Sequence, residues 1–476
     1  MNRRPVPLPS LLLPVALLSG GCTMAPKYER PALPVTDAFH PPPGAPAPAV
    51  APSVAPVAPV ASEVRWQDFF TDPRLVRVVE EALANNRDLR VATLGIEKAR
   101  ALYRIQRSEL NPTIGVQATG QRYRIPEKMG ENGEARTVGE WSVGLGLASW
   151  ELDFFGRLRS LKDRSLEQYL ATEQAQRATR VSVVAAVAAT WLQLAADGES
   201  LRLSRETLEA QRASYDMIEA SRDAGVASDL DLRQAESQVE TARASVAAYT
   251  GAVAVSRNAL DLLVGAPVGD ELLPRELGAV ADAKAVSAGL PSEVLLNRPD
   301  ILAAEHQLRA ANANIGAARA AFFPRISLTA GIGTMSPDLG SLFAAGTRTW
   351  TFAPQVLAPL FASGSLLAQL KVSKVDREIA VAQYEKAIQA AFAEVNDALA
   401  LRATLVEQRE AQDALVESLR ETLRLSDARY RAGIDGYLGV LVAQRALFNA
   451  QRVQVGVHLL EQVNLVTLYK VLGGGA

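Results

Sequence analysis

The sequence predicts an α+β membrane protein built from two internal repeats, each a β-hairpin set between long helices. Three observations predict it. Residue patterns recur at a nearly constant offset, apolar periodicity switches twice from 3.6 to 2, and two Ala- and Gln-rich stretches run for about 65 residues.

The N-terminus has Arg3 and Arg4, an apolar run from Leu8 to Leu18, then small residues before Cys22. A basic start, a short apolar run and a small-residue cleavage site make an export signal, covering residues 1–21. The run is too short to span a bilayer permanently, and Pro9 and Pro14 weaken it further. Cys22 is the sole cysteine of 476 residues, so no intramolecular disulfide and no cysteine zinc cluster can form. Leu18-Ser19-Gly20-Gly21-Cys22 resembles a lipobox with its leucine displaced by one position, which makes Cys22 the expected acylation site. Thr23 follows where an aspartate would favour inner-membrane retention, so the outer membrane is the expected address.

Residues 41–61 read PPPGAPAPAVAPSVAPVAPVA. Such a tract favours extended polyproline II over helix, so 22–64 form a lipidated end and a spacer.

The remainder is written twice. Asn86-Arg87-Asp88-Leu89 reappears as Asn297-Arg298-Pro299-Asp300-Ile301, and Pro112 returns as Pro324 at an offset of 212. After one polar loop the offset becomes 208: Gly156 matches Gly364, Ala224-Gly225-Val226 matches Ala432-Gly433-Ile434, and Gly265 matches Gly473. The repeats span 65–270 and 271–476. Each starts helical (about 74–110 and 292–322) and turns to alternation past its proline. In the first, Trp141, Val143, Leu145 and Leu147 alternate with Glu140, Ser142, Gly144 and Gly146. In the second, Ile326, Leu328, Ala330 and Ile332 alternate with Ser327, Thr329, Gly331 and Gly333. Weaker partner strands start at Thr113 and Thr349, giving hairpins over about 113–150 and 326–358. Strands of about nine or ten residues suffice to cross a bilayer when tilted.

Long helices follow each hairpin, from Leu158 to Arg222 and from Leu366 to Arg431. A continuous helix of that size is about 100 Å long. Val181, Val184, Val187, Trp191 and Leu194 form a heptad-like seam, continued by Leu201 and Leu208. Asp197-Gly198 is the expected break in the first helix, and Gly225 and Gly433 are the expected left-handed caps. A further helix runs back in each half.

Two hairpins supply four strands, and an open sheet edge in lipid is prohibitively costly. Membrane barrels need about eight strands or more, so the chain must borrow strands from copies of itself.

Composition and motifs narrow function by exclusion. A net charge of −2 gives no electrostatic case for nucleic acid. His40, His306 and His458 lack partners at ligand spacing, and no nucleotide loop, GxSxG or HExxH occurs. No metal, cofactor or enzymatic activity is expected.

The chain resembles the outer-membrane factors of the OprM/TolC type, the OprM-like efflux lipoproteins in particular. The resemblance rests on Cys22 with Pro26-Lys27-Tyr28 and Arg30-Pro31, Asn297 to Asp300, Phe322-Phe323-Pro324, Arg429 to Gly433, and Leu468 to Gly474. It implies a homotrimer with a 12-stranded outer-membrane β-barrel, four strands per chain, continued by a long α-helical periplasmic barrel. It implies docking to a periplasmic adaptor and an inner-membrane RND transporter, with Gly225, Val226, Ala227, Ser228, Gly433, Ile434, Asp435 and Gly436 as adaptor contacts. A gate follows just inside, at Leu438, Val442, Asp231, Tyr437 and Arg445, with Tyr437 and Arg445 locking neighbouring helices. The family tends to place an acidic residue one turn after the leucine, where this chain has Val442. Leu438 and Val442 would close by apolar contact and dewetting, leaving Asp229, Asp231 and Asp435 as nearby negative charge. The expected role is the passive outer-membrane channel of a tripartite multidrug efflux pump. Competing readings are the duct of a type I protein secretion system and a structural coiled-coil lipoprotein; alternating hairpins argue against the latter.

Overall fold

The computed structural model describes residues 23–39, 64–129, 133–278 and 292–474. Cys22, the signal and the Pro/Ala-rich spacer lie outside the described residues.

The helices are α1 (Trp66–Phe69), α2 (Pro73–Asn85), α3 (Arg87–Ser108), α4 (Arg157–Asp223), α5 (Asp229–Val264), α6 (Pro299–Ala320), α7 (Ser365–Arg431) and α8 (Leu438–Val471). The strands are β1 (Ile114–Ile125), β2 (Arg136–Leu152), β3 (Arg325–Ser336) and β4 (Arg348–Leu357). α3 and α6 are both 22 residues long and start 212 residues apart; α4 and α7 are both 67 long and start 208 apart. The paired glycines repeat the same backbone: φ is +75° and +69° at Gly225 and Gly433, and +79° and +83° at Gly265 and Gly473. The duplication read from sequence is a duplication of conformation.

The chain divides into two compact units. The first holds residues up to Ala32, Gly95–Glu173 and Ala303–Tyr384, and contains the sheet. All strands are antiparallel in the order β1-β2-β3-β4, so β2 and β3 join the two repeats while β1 and β4 are open edges. Rows such as Val116, Leu145, Ile332, Trp350 lie across one face, with Ala118, Val143, Phe352 and Val356 beside them. The other face carries Gln117, Gly144, Gly333, Thr349, and Thr119 bonded to Ser142 at 2.6 Å. One apolar and one polar face is the pattern of a strand between lipid and lumen. β2 is longer than the expected ten residues, with an irregularity between Leu147 and Trp150. Ser149 sits there at φ +53°, and the extra residue shifts the alternation so that Trp150 and Leu152 pair with Leu328 and Ile326 on the apolar face.

Also in this unit, residues 23–32 lie as a strap along α6. Thr23 Oγ1 bonds Ser160 Oγ at 2.9 Å, Arg319 donates to the Met24 carbonyl at 3.0 Å and Asn312 to the Pro26 carbonyl at 2.8 Å. A β-carbon at Gly316 would lie 2.7 Å from the Ala25 nitrogen, so only glycine permits this approach. The strap ends on Glu305, whose side chain is 4% exposed. It accepts from Tyr28 at 3.0 Å, Arg30 at 2.7 Å and Arg309 at 2.6 Å. Burial alone would raise the Glu305 carboxyl, but the bonds from Arg30 and Arg309 outweigh it and hold it below the ordinary range. Burial and the adjacent carboxylate push the Tyr28 phenol up to about 12.

The second unit holds Leu33–Leu94, Gln174–Leu302 and Glu385–Ala476. The expected seam enters its core over Val181, Val184, Val187, Trp191 and Leu194, which are buried, whereas Leu201 and Leu208 are half-buried. One window of α4 is apolar enough to cross a membrane by length and composition, yet 61% of it is buried inside the protein. The expected break at Asp197-Gly198 is absent, and α4 runs unbroken through it. Asp197 is held in register by Gln193 at 3.0 Å and by the Ser256 hydroxyl of α5. Against this, an interior glycine costs only about 1 kcal/mol.

The first expected helix, 74–110, is instead broken at Asn86 between α2 and α3. Asn86 Oδ1 accepts from the Leu89 amide at 2.9 Å, and Nδ2 donates to the Leu263 carbonyl at the end of α5 at 2.7 Å. Its counterpart 212 residues on is Arg298, which donates to the Val471 carbonyl at the end of α8 at 2.8 Å and to Asp300 and Glu394 at 2.7 and 2.8 Å. Different side chains make the same tie in both repeats, each satisfying an orphan carbonyl at a helix end.

Candidate functional site

The candidate site is built on the two turns that end the long helices, both in the second unit. Each turn closes with the same pair of bonds. Gly225 N donates to the Arg222 carbonyl at 2.8 Å and Val226 N to Ser221 at 2.9 Å. Gly433 N donates to Tyr430 at 2.9 Å and Ile434 N to Arg429 at 3.0 Å. This is the Schellman arrangement, in which a left-handed glycine lets two amides satisfy terminal carbonyls. Both caps agree with expectation, and the residues that follow, Val226 and Ile434, are 84% and 62% exposed.

Beyond the glycine the turns diverge. In the first, Ser228 caps α5: its hydroxyl accepts from the Asp231 amide at 3.2 Å, and Asp231 accepts from the Ser228 amide at 3.1 Å. Asp229 and Asp231 therefore sit where the helix dipole favours negative charge. In the second turn Arg429 and Asp435 form an ion pair at 2.5 Å across the loop, and the Arg429 guanidinium holds the Asp435 carboxyl below its usual range. Gly436 then leads into Tyr437, which gives α8 no side-chain cap.

Tyr437, which the resemblance pairs with Arg445 in locking neighbouring helices, lies buried at the start of α8, while Arg445 is exposed. Tyr437 is 4% exposed and packs with Ile218, Leu232, Ala235, Val440 and Leu441, its ring meeting Tyr430 edge-on at 5.2 Å. Burial pushes its hydroxyl pKa up. Tyr437 is the plug of an apolar cluster that ties α4 and α5 to α8. The reason is periodic: on α8, Val440, Leu441 and Ala443 share the buried side with Tyr437, whereas Leu438, Val442 and Arg445 follow one another at i, i+4 and i+7 on the open side. Leu438 and Val442 are each 56% exposed. The structure thus brings Leu438, Val442 and Arg445 into one stripe, while Asp231 bonds within its own turn and Tyr437 is buried in the apolar cluster.

Sequence reasoning missed Ile218, Leu232 and Tyr430 as partners of Tyr437. The available signal was the seven-residue spacing of Tyr430 and Tyr437 around a glycine cap.

The model of the family described as outer membrane efflux protein matches residues 78–266 and 290–474. The chain belongs to the outer membrane efflux protein family. The two matched segments start 212 residues apart and end 208 apart, the offsets of the repeats. Among relatives of this family, the toluene efflux pump outer membrane protein TtgC of Pseudomonas putida is 47% identical over 462 residues, covering 97% of this chain and 94% of TtgC. A solved membrane protein from Pseudomonas aeruginosa superposes with a TM-score of 0.88 at 41% identity, covering 95% and 98% of the two chains. The open state of the MtrE outer membrane channel of Neisseria gonorrhoeae does so at 0.85 and 37% identity, covering 95% and 98%. The α+β architecture expected from the two repeats is shared with these two solved membrane proteins.

Proposed function

We propose that this chain is the outer-membrane duct of a tripartite RND-type efflux pump. Three copies close their four-stranded sheets into a barrel, and the duct is passive, with energy supplied by an inner-membrane transporter through a periplasmic adaptor. One observation carries the reading: a sheet with one apolar face, one polar face and two unpaired edges, in a chain whose relatives are named as efflux pump outer membrane proteins. In this reading the cargo includes small apolar molecules like the toluene for which TtgC is named.

In this reading the exposed turns, Gly225 to Ser228 and Gly433 to Gly436, meet the adaptor. The stripe of Leu438, Val442 and Arg445 lines the constriction, so three copies present apolar rings that close by dewetting. Cys22 carries acyl chains, which adds lipid anchorage to that of the barrel. In this reading residues 41–61 are a spacer ahead of the repeats 65–270 and 271–476. The chain performs no chemistry of its own.

The test is single-channel recording of purified protein in planar bilayers, paired with a toluene survival assay in cells lacking the gene. Replacing Leu438 and Val442 by serine is expected to raise conductance and leave assembly intact. Absence of any conductance in both proteins would sink the duct.

A further inference from the structure

The hairpin end of the sheet carries arginines on its apolar face. On β1 the face of Val116 and Ala118 continues through Gly120 to Arg122 and Arg124, because successive strand residues alternate between faces. The register agrees: Arg122 stands opposite Gly139 and Arg124 opposite Thr137, two and four residues past Trp141. A β-carbon at Gly120 would lie 2.3 Å from the Trp141 ring, so the indole lies across Gly120 with Arg122 next in line. β4 repeats the order, since its first residue, Arg348, lies on the face of Trp350 and two residues past it. At both edges of the sheet, then, the apolar face ends on a tryptophan followed by an arginine.

All three arginines are exposed, and among the described residues none has a carboxylate partner. At the helix end, by contrast, Arg157 and Arg159 pair with Glu151 and Asp153 at 2.7 and 3.2 Å. Of the hairpin-end carboxylates, Glu140 is bonded by Gln121 at 3.1 Å on the opposite face, and Glu127, Glu134 and Asp338 lie in the connecting loops.

Depth decides what these arginines meet. From Leu152 to Trp141 the apolar face of β2 is about ten residues long, which is about 25 Å of membrane for a strand tilted by about 45°. That is the height of the apolar band of a membrane barrel, and tryptophans gather at its rims. Past Trp141 the arginines stand at headgroup level, where a lipid-facing arginine costs little; at mid-membrane it is strongly destabilising. The long helices leave from the opposite end of the sheet, so in the duct reading the hairpin end reaches the outer leaflet. Closing the barrel brings the β4 edge of one copy to the β1 edge of the next, and Arg348 of one joins Arg122 and Arg124 of its neighbour.

We propose that each such seam binds the phosphate groups of an anionic lipid of the outer leaflet. Guanidinium groups take phosphate oxygens in pairs, and arginines at a membrane surface attract anionic lipid within about a Debye length. Trp350 and Phe352, on the same face below the arginines, are 75% and 62% exposed, so the ligand that fits carries acyl chains beneath its phosphates. A free anion would leave that surface bare. The site rests on the proposed trimeric duct.

The test is native mass spectrometry of the full-length trimer, released from detergent with bisphosphorylated lipid A, its monophosphoryl form, or zwitterionic phosphatidylethanolamine. The bisphosphorylated lipid is expected to be retained best. Arg122→Gln, Arg124→Gln and Arg348→Gln together should lower its retention by about fivefold for each charge removed and leave phosphatidylethanolamine unchanged. A control triple, Arg233→Gln, Arg243→Gln and Arg420→Gln, takes the same charge from exposed helix positions and should retain the lipid fully. Should the first triple not assemble, Arg122→Gln and Arg348→Gln singly carry the same expectation of about fivefold each. Equal loss in site and control variants, or no loss in the site variants, overturns the lipid site and leaves the duct standing. Absence of a trimer from the unmodified protein overturns both.

Discussion

At the residue scale, two side chains decide whether their neighbourhoods hold. Glu305 is a buried carboxylate with three donors from two parts of the chain, so the strap depends on its charge. Because its folded pKa is depressed, it contributes stability above the free value of 4.5, and that contribution is lost as pH falls through the lowered folded value. A spin label on Lys27→Cys, an exposed strap position, should therefore sharpen on acidification below about 4.5 and remain broad at neutral pH. Glu305→Gln should mobilise the label at neutral pH and cost about 1–3 kcal/mol. Val442 is the other decisive residue. On the exposed stripe one turn from Leu438, Val442→Asp places a carboxylate ring at the proposed constriction. Reversal potentials in a salt gradient should shift toward cation selectivity, and an unchanged potential would show that this face is turned from the pore.

At the element scale, the two turns share a backbone and differ in side chains. Their glycine caps were legible because a left-handed residue at a helix end leaves a compositional mark. The strands were legible for the same kind of reason, since alternation at period 2 is written into Trp141 to Leu147 and Ile326 to Ile332. What was not legible depends on partners distant in sequence. Asp197-Gly198 reads as a break until Ser256 of α5 is seen holding Asp197. Asn86 and Arg298 share no chemistry, yet each ties a helix end to the start of its repeat. Tyr437 is expected by resemblance to lock neighbouring helices with Arg445, and only the packing of α4, α5 and α8 shows it inside an apolar cluster. The prediction here follows from that burial. Tyr437→Ala should leave a cavity, cost about 3–5 kcal/mol locally, and speed amide exchange over 423–441 without altering exchange in the sheet. Tyr437→Phe, which keeps the ring, should behave as the unmodified protein; if it exchanges as fast as the alanine variant, the hydroxyl and not the packing holds the turn.

At the scale of the whole molecule, the repeat predicts how copies join. Within one chain β2 of the first repeat pairs with β3 of the second, with Leu145 opposite Ile332 and, past the irregularity, Trp150 opposite Leu328. Assembly by repeated use of one geometry requires β4 to pair with β1 of the next copy as β2 pairs with β3. The hairpins fix the strand correspondence: β1 maps to β3 with its apolar alternation preserved at an offset of 212, and β2 maps to β4 at 209 above the irregularity and 208 below it. Carried through, Leu145 and Ile332 become Pro354 and Gly120, and Trp150 and Leu328 become Ala358 and Val116. Both parts of the ladder give one register, although they lie on opposite sides of an irregularity that β4 does not show. That register sets Val356 opposite Ala118 and Leu360, 97% exposed in the single chain, opposite Ile114, 65% exposed, so open apolar residues cover each other at the edge. The polar face then sets Gln355 opposite Thr119. Gln355→Cys with Thr119→Cys should form a disulfide between copies that yields a covalent trimer on non-reducing gels, since each copy carries one partner of each bond. Shifting one cysteine to Ala353→Cys, two residues along the same face, should lower the yield sharply. Equal cross-linking by both pairs would mean that the copies meet by a register the repeat does not dictate.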